Sequence, residues 1–258
     1  MRIARVTYDG RQLFGVVEGD PGEEMLAVVE GDPLINPLVP TGVAIPLAEA
    51  KLLTPVIPRS KVIGIGRNYA EHAAELGNDV PPEPLFFLKP NTSVISPGDA
   101  IKYPRQSSEV HFEGELAVVI GRLCQNVPAE RASEVIFGYT VGNDVTARDL
   151  QRSDGQWTRA KGFDTFCPLG PWIVTELDVT DLALTTELNG ELKQAARTAA
   201  MVHKVPDLIA YISAVMTLLP GDVILTGTPA GVGPMQPGDE VSVTIEGIGT
   251  LTNPVAAR

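Results

Sequence analysis

Residues 110–120 carry the pattern that most restricts how this chain can fold: a strand that runs into a continuous apolar stretch and holds two acidic side chains, Glu113 and Glu115. Strand side chains alternate between faces, so the two glutamates point the same way, about 7 Å apart. Two carboxylates beside a buried apolar run repel each other and lose hydration unless a positive charge neutralises them, which a divalent cation does best. The alternative is an edge strand that presents two solvated glutamates to water.

The rest of the chain is rich in strands and poor in helices. Strand patterns occupy residues 62–66, 85–89, 223–226 and 240–245, and the last two follow Pro-Gly-Asp turns. Helical patterns are predicted for residues 69–76, 130–135 and 206–219. Because strands and helices do not alternate regularly, the sequence predicts a mixed, β-rich α+β fold rather than a doubly wound parallel sheet.

A division is predicted near residue 57. Residues 1–57 form a small β-containing unit, in which two strand patterns, 3–7 and 12–17, flank Asp9 and Gly10. Asp-Gly favours the two-residue hairpin turn in which both residues have positive φ. Residues 58–258 form the predicted main domain, which carries all of the candidate chemistry.

Composition excludes some partners and locations. The 258 residues carry a net charge of −12, which argues against nucleic acid and anionic membranes as partners. The N-terminus lacks the apolar core of a signal peptide, and no stretch is apolar enough to span a membrane, so we expect a cytoplasmic protein. Cys124 and Cys167 form no zinc-type or CxxC spacing and are expected to be reduced and buried. An anionic substrate would need a local positive field inside this acidic protein.

Asp144 supplies a third carboxylate. It stands at the end of a strand pattern and just before a possible helical turn at residues 145–151. An aspartate there can cap that turn. Together with Glu113 and Glu115, however, it would complete an all-oxygen set without clustered His or Cys. Such a set suits Mg²⁺, Mn²⁺ or Ca²⁺ rather than zinc.

His72 and Glu75 are candidates for proton transfer. They lie three residues apart in the helical pattern 69–76 and so share one helix face. A carboxylate beside an imidazole orients it and raises its basicity, as a water-activating pair requires. The alternative is a solvated pair on the protein surface.

Two further segments are candidates for contact with a ligand. Lys161, between small residues and aromatic ones, could stabilise an enolate or oxyanion, form a Schiff base, or simply reach the surface as a long cationic side chain. Residues 225–233 form a strand that opens into a glycine-rich loop, which could bring backbone N–H groups and the Thr228 hydroxyl to a ligand or could be only a tight turn. Residues 64–69 begin like a dinucleotide fingerprint, but Tyr69 stands where its third glycine belongs.

These segments, taken in order, resemble the fumarylacetoacetate hydrolase family from about Leu53 onward. The matching motifs are GIGRNY at 64–69, the Glu-x-Glu strand, GNDVTARD at 142–149, KGFDT at 161–165 and LTGTP at 225–229. The resemblance implies a β-roll catalytic domain, usually in a homodimer. It also implies an Mg²⁺ or Mn²⁺ ion that chelates a small anionic 2-keto (or enol) acid.

The resemblance also implies roles for individual residues. The implied metal ligands are Glu113, Glu115 and Asp144. The implied catalytic residues are His72 and Glu75, which activate water, and Lys161, which stabilises the enolate. The implied substrate contacts are Arg148, Gln151, Gly227 and Thr228, although Arg148 could instead support the site from behind.

One such site could serve several reactions. The first hypothesis is a metal-dependent enzyme that cleaves acylpyruvate-type 2,4-diketo acids, decarboxylates oxaloacetate, or does both. The second is an isomerase or decarboxylase of 2-hydroxyhepta-2,4-diene-1,7-dioate in aromatic catabolism, which would need a second cationic subsite for a distal carboxylate. The third is a non-catalytic β-rich binding protein, which would tolerate loss of the three carboxylates.

Overall fold

The computed structural model describes residues 1–257, and strands dominate it. The strands are β1 (Arg2–Tyr8), β2 (Arg11–Glu18), β3 (Met25–Val29), β4 (Pro40–Pro46), β5 (Lys51–Leu53), β6 (Val62–Gly66), β7 (Leu85–Lys89), β8 (Val94–Ile95), β9 (Ile101–Tyr103), β10 (Val110–Phe112), β11 (Gly114–Ile120), β12 (Ile136–Asn143), β13 (Thr146–Ala147), β14 (Cys167–Val174), β15 (Ala183–Leu188), β16 (Glu191–Arg197), β17 (Val223–Leu225), β18 (Gly233–Met235), β19 (Glu240–Ile245) and β20 (Gly249–Ala257). The α-helices are α1 (Ala70–Glu75), α2 (Arg148–Asp154), α3 (Thr158–Lys161) and α4 (Val205–Val215). Short 3₁₀ helices occupy Leu47–Glu49, Asn91–Ser93, Ala129–Glu134 and Thr198–Ala200.

The strands form three sheets. The largest runs in the order β4-β3-β2-β1-β14-β12-β11-β17-β6-β7, with β5 paired to β1 and β8 paired to β14. A five-stranded sheet has the order β16-β15-β19-β20-β9, and a three-stranded sheet the order β13-β10-β18. Most pairs are antiparallel, whereas three pairs are parallel: β17 with β6, β14 with β8, and β20 with β9. No helix among residues 1–257 is long and apolar enough to cross a membrane.

The N-terminal strands extend the largest sheet. β1 and β2 form the predicted hairpin, and its turn residues Asp9 and Gly10 have φ values of 47° and 72°. Both angles are positive, as the Asp-Gly turn requires. β1 then pairs with β14 through Arg2 and Ile3, so residues 1–57 share a sheet with the main domain.

The core is built around β11, which is buried on both faces. Leu116, Val118 and Ile120 face a cluster that includes α4, while Ala117 and Val119 face the opposite cluster. A strand covered on both sides needs apolar residues at every position. This explains the continuous apolar run of the sequence.

Two sequence predictions were wrong at element ends. The segment 110–120 is not one strand: it breaks at Glu113, where the Asn143 side chain accepts the Glu113 N–H at 2.9 Å, and β10 and β11 belong to different sheets. The helix expected over 206–219 ends at Val215. Leu218 has left the helix and pairs with Cys124 through two backbone hydrogen bonds.

Candidate metal and active site

Three carboxylates meet where the sheets join. Glu113 lies at the break between β10 and β11, Glu115 lies in β11, and Asp144 follows β12 directly. A carboxylate oxygen of each lies within 4.8 Å of the others, and each residue is 4% exposed or less. The solvated edge strand is therefore wrong as an alternative. So is the helix cap, because α2 begins after Ala147 and has no side-chain cap.

Three cations neutralise two of these carboxylates, Glu113 and Asp144. Lys161 Nζ lies 2.7 Å from a Glu113 oxygen and 2.6 Å from an Asp144 oxygen. Lys89 Nζ lies 2.5 Å from the other Asp144 oxygen, and Arg148 donates to Glu113. Lys161 is 2% exposed, so the alternative of a long surface side chain is wrong. Its ammonium also lies 4.9 Å from the centre of the Phe87 ring.

Burial and charge set the ionisation of the group. Burial raises the pKa of the Glu113 carboxyl, but the Lys161 and Arg148 charges outweigh it and hold the pKa well below its ordinary value. Burial, and then the charges of Asp144 and Glu113, raise the pKa of Glu115 well above its ordinary value. Burial lowers the pKa of Lys161, but the Asp144 and Glu113 charges reverse this and raise it. Lys161 is therefore an ammonium rather than a free amine.

The predicted dyad lies on α1. His72 is buried, its Nδ1 lies 3.2 Å from a Glu75 oxygen, and the other Glu75 oxygen accepts the Gly231 N–H at 3.0 Å. Asn68 fixes the start of α1, because its side chain exchanges hydrogen bonds with the His203 backbone and donates to Thr226 O. The surface-pair alternative is wrong for His72, although Glu75 remains partly exposed.

A cavity of about 490 Å³ brings most of the predicted residues together. Those that line it are His72, Glu75, Glu113, Arg148, Gln151, Lys161 and Thr228. Glu115, Asp144 and Gly227 lie outside the lining. The Gly227 N–H donates to Glu115 at 2.7 Å, so it is already bonded to a carboxylate of the trio.

Two residues that support the site, Gln194 and Lys89, are not among the residues predicted from the sequence. Gln194 is buried, donates to the Thr228 hydroxyl at 2.8 Å and accepts the Gly114 N–H at 3.0 Å, so it fixes the loop that carries Thr228. No pattern in the sequence of β16 distinguishes Gln194 from the other polar residues of that strand. Lys89 could have been found, because a lysine that closes an apolar strand before a proline needs a buried partner.

The donor set fits a hard divalent cation. All three candidate ligands offer carboxylate oxygens, are buried, and lie close enough to share one ion. Oxygen-only sites of this kind bind Mg²⁺, Mn²⁺ or Ca²⁺. That Lys161 lies between two of the carboxylates shows that this place favours positive charge.

Comparison with known proteins identifies the family. Residues 61–256 match the family described as "Fumarylacetoacetate (FAA) hydrolase C-terminal", and residues 1–55 match "Rv2993c-like, N-terminal". The chain belongs to the fumarylacetoacetate hydrolase family. It is 56% identical over 264 residues to Protein Rv2993c of Mycobacterium tuberculosis, covering 100% of this chain and 99% of that protein. It is 44% identical over 197 residues to the mitochondrial oxaloacetate decarboxylase of Dictyostelium discoideum, covering 74% and 90% of the two proteins.

Solved structures of the family share the fold. The structure of 5-carboxymethyl-2-hydroxymuconate delta-isomerase from Mycobacterium smegmatis matches with a TM-score of 0.93 and 53% identity over 100% of both chains. Fumarylpyruvate hydrolase from Pseudomonas aeruginosa, in complex with Mn²⁺ and pyruvate, matches with a TM-score of 0.74 and 35% identity over 78% of this chain and 91% of that one. The predicted β-rich family fold is confirmed, and the chain is an enzyme of this family, which sets aside the hypothesis of a non-catalytic binding protein.

Proposed function

We propose that this chain is a divalent-metal-dependent enzyme that acts on small anionic 2-keto (enol) acids, by hydrolysing acylpyruvate-type 2,4-diketo acids, decarboxylating oxaloacetate, or both. One observation carries the proposal: a buried carboxylate trio lies at a cavity that also holds Lys161 and the His72–Glu75 dyad. The ligands are Glu113, Glu115 and Asp144, and the ion is Mg²⁺ or Mn²⁺. A metal bound there would polarise the carbonyl of a chelated 2-keto acid.

The residues of the chain then have separate tasks. Lys161 donates hydrogen bonds to the oxygen on which enolate charge develops, and its raised pKa keeps it charged for that purpose. Arg148, Gln151 and Thr228 orient the acid end of the substrate. Arg148 also donates to Gln151 at 2.6 Å, so these two side chains act as one rigid pair.

The dyad serves the hydrolytic reaction. The Nδ1 atom of His72 is bonded to Glu75, which leaves Nε2 to accept a proton from a water in the cavity. The resulting hydroxide attacks the distal carbonyl of a 2,4-diketo acid, and cleavage of the C–C bond leaves a pyruvate enolate. Decarboxylation of oxaloacetate produces the same enolate by loss of CO₂, without an attacking water.

Pyruvate release tests the proposal. The purified chain, freed of metal with a chelator and reloaded with Mg²⁺ or Mn²⁺, should release pyruvate from an acylpyruvate or from oxaloacetate, and the chelated protein should not. The control is the Glu115→Gln variant, which should stay inactive after reloading. A reloaded protein that releases no pyruvate from either compound would contradict the proposal.

A second candidate function is isomerisation or decarboxylation of 2-hydroxyhepta-2,4-diene-1,7-dioate. It is favoured by the 53% identity to the structure of 2-hydroxyhepta-2,4-diene-1,7-dioate isomerase from Mycobacterium marinum. An isomerase would change the ultraviolet spectrum of that compound without releasing CO₂ or pyruvate. The homodimer, the cytoplasmic location and the division into residues 1–57 and 58–258 stay predictions.

A further inference from the structure

The cavity has a buried floor and an open rim. The floor residues are His72, Glu113, Arg148, Lys161 and Thr228, each 5% exposed or less. The rim residues include Arg67, Glu75, Gln151, Arg152 and Trp157, which are half-buried or exposed. A substrate whose 2-keto acid end lies on the floor therefore extends its other end toward the rim.

Charges on the floor are balanced once Glu115 is ionised. Lys89, Lys161 and Arg148 contact Glu113 and Asp144, and their three positive charges equal the three negative charges of the full trio. The charge of a divalent ion is thus available for the carboxylate and keto oxygens of one substrate end. Any second anionic group on the substrate needs its own cation nearer the rim.

Arg67 is the rim cation with no other task. Arg148 is bonded to Glu113 and Gln151, and Arg152 is exposed and paired with Glu109. Within residues 1–257, Arg67 forms no hydrogen bond and no ion pair through its side chain, although it lines the cavity. An arginine beside a cavity with its five donors unused can bind a carboxylate in a bidentate manner.

The backbone holds Arg67 in an unfavourable conformation. Its φ is 58°, in the left-handed region that glycine adopts without strain. Its neighbours fix this geometry: Trp157 packs so tightly on Gly66 that a Cβ there would lie 2.7 Å from the ring, and the Asn68 side chain is held by three hydrogen bonds. Strain of this kind persists where the surroundings enforce it and often marks a functional position.

We propose that Arg67 binds the distal carboxylate of the substrate, so that the preferred substrates are 2-keto dicarboxylates rather than 2-keto monocarboxylates. The inference rests on the proposed function, because the floor must hold the 2-keto acid end. It adds the substrate class and a residue that sets specificity.

Length-matched ligands test this inference. Titration calorimetry of the full chain loaded with Mg²⁺ would compare 2-keto dicarboxylates and monocarboxylates of five and six carbons, such as 2-oxoglutarate against 2-oxovalerate. The wild type should prefer the dicarboxylate at one length at least. Arg67→Met and Arg67→Gly should lower the affinity for that dicarboxylate by about tenfold or more. The affinity for the monocarboxylate of the same length should change by less than about twofold. Arg67→Gly removes the backbone strain, and its melting temperature beside that of the wild type checks that the variant is folded.

Control variants separate the possible outcomes. Arg67→Lys should keep part of the preference, and Arg159→Met, which removes an exposed arginine paired with Asp154 outside the cavity, should keep all of it. Equal losses for both ligand types in the Arg67 variants, no preference in the wild type, or a larger loss in Arg152→Met would overturn the role of Arg67. Pyruvate release by the wild type is judged separately. A dicarboxylate preference that depends on Arg67 without pyruvate release would refute the proposed reaction and leave this inference standing.

Discussion

At the scale of single residues, the position of the Lys161 ammonium decides which chemistry this lysine can perform. It is buried between Glu113 and Asp144, and their charges raise its pKa. A lysine that stays protonated cannot attack a carbonyl, so we expect electrostatic stabilisation and no covalent imine. Lys161→Met should lose about 10²–10³-fold in turnover, the usual effect of removing one oxyanion donor. Borohydride reduction with pyruvate present should leave wild-type Lys161 unmodified.

Lys61 provides the matched control for that prediction. It forms another ion pair with a buried aspartate, Asp222, at 2.5 Å, but it does not line the cavity. Lys61→Met should lower the melting temperature while the turnover of the folded protein stays unchanged. A pyruvate adduct trapped on Lys161, or equal losses of turnover in the two variants, would show that the electrostatic role is wrong.

Glu75 combines two roles that two substitutions can separate. One carboxylate oxygen contacts His72, and the other accepts the Gly231 N–H and so fastens α1 over the cavity. Glu75→Gln keeps an oxygen for Gly231 but removes the charge that supports His72, whereas Glu75→Ala removes both. We expect Glu75→Gln to abolish acylpyruvate hydrolysis and to spare part of the reaction on oxaloacetate, measured on the same preparation. Equal losses of both reactions in Glu75→Gln would mean that α1 closes the site and activates no water.

At the scale of elements, the sequence predicts local structure well and loses accuracy where distant segments meet. β6, β7 and β19 have the predicted bounds, because their patterns are local and end at a turn or a proline. The break at Glu113 is invisible in the pattern, since it depends on Asn143 accepting a backbone N–H from thirty residues away. Gln194 was missed for the same reason: its partners, Gly114 and Thr228, come from two distant segments.

Asn68 is the element-scale test, because it joins the start of α1 to two other segments. Its side chain bonds to the His203 N–H and to the carbonyls of His203 and Thr226, all between 2.8 and 3.0 Å. Asn68→Ala leaves these groups unpaired. Each one that water cannot reach lowers the free energy of unfolding by about 1–3 kcal/mol. Thermal melting should show a clear drop. Asn78→Ala, which removes one local contact to Leu76 O, should shift the melting temperature little. Similar shifts in both would contradict the bracing role of Asn68.

At the scale of the whole molecule, the distribution of charge matters more than its sum. The chain carries a net charge of −12, yet four cations, Arg67, Arg148, Arg152 and Lys161, line its cavity against two carboxylates, Glu75 and Glu113. The sequence could predict that a local positive field was needed, because an anionic substrate must enter an acidic protein. It predicted two of the cations, Lys161 and Arg148, but not Arg67, which becomes informative only through its place in the cavity.

Metal binding should be coupled to a proton on Glu115. Burial, with the charges of Asp144 and Glu113, raises its pKa in the folded chain above the ordinary value that the unfolded chain has. A group with a raised pKa contributes its full stability below the unfolded pKa and loses it as the pH rises through the folded pKa. Glu113, whose pKa is lowered, is already ionised near neutral pH and releases no proton.

A divalent cation that replaces this proton should therefore stabilise the protein less as the pH is lowered from 8 toward the ordinary glutamate pKa of 4.5. At an ion concentration of about 100 Kd the gain is about 2.7 kcal/mol, and it shrinks at lower pH as protons compete for Glu115. Melting temperatures with and without Mg²⁺ or Mn²⁺ across this range should show the trend, and calorimetry in buffers of different ionisation enthalpy should detect the released proton. Without metal at pH 8, Glu115→Gln should be at least as stable as the wild type, because it removes the buried acid, and it should gain little from either ion. Glu134→Gln, at an exposed pair with Arg131, should respond to metal as the wild type does. A metal-induced shift that is the same at every pH, or an unchanged shift in Glu115→Gln, would show that Glu115 does not bind the ion.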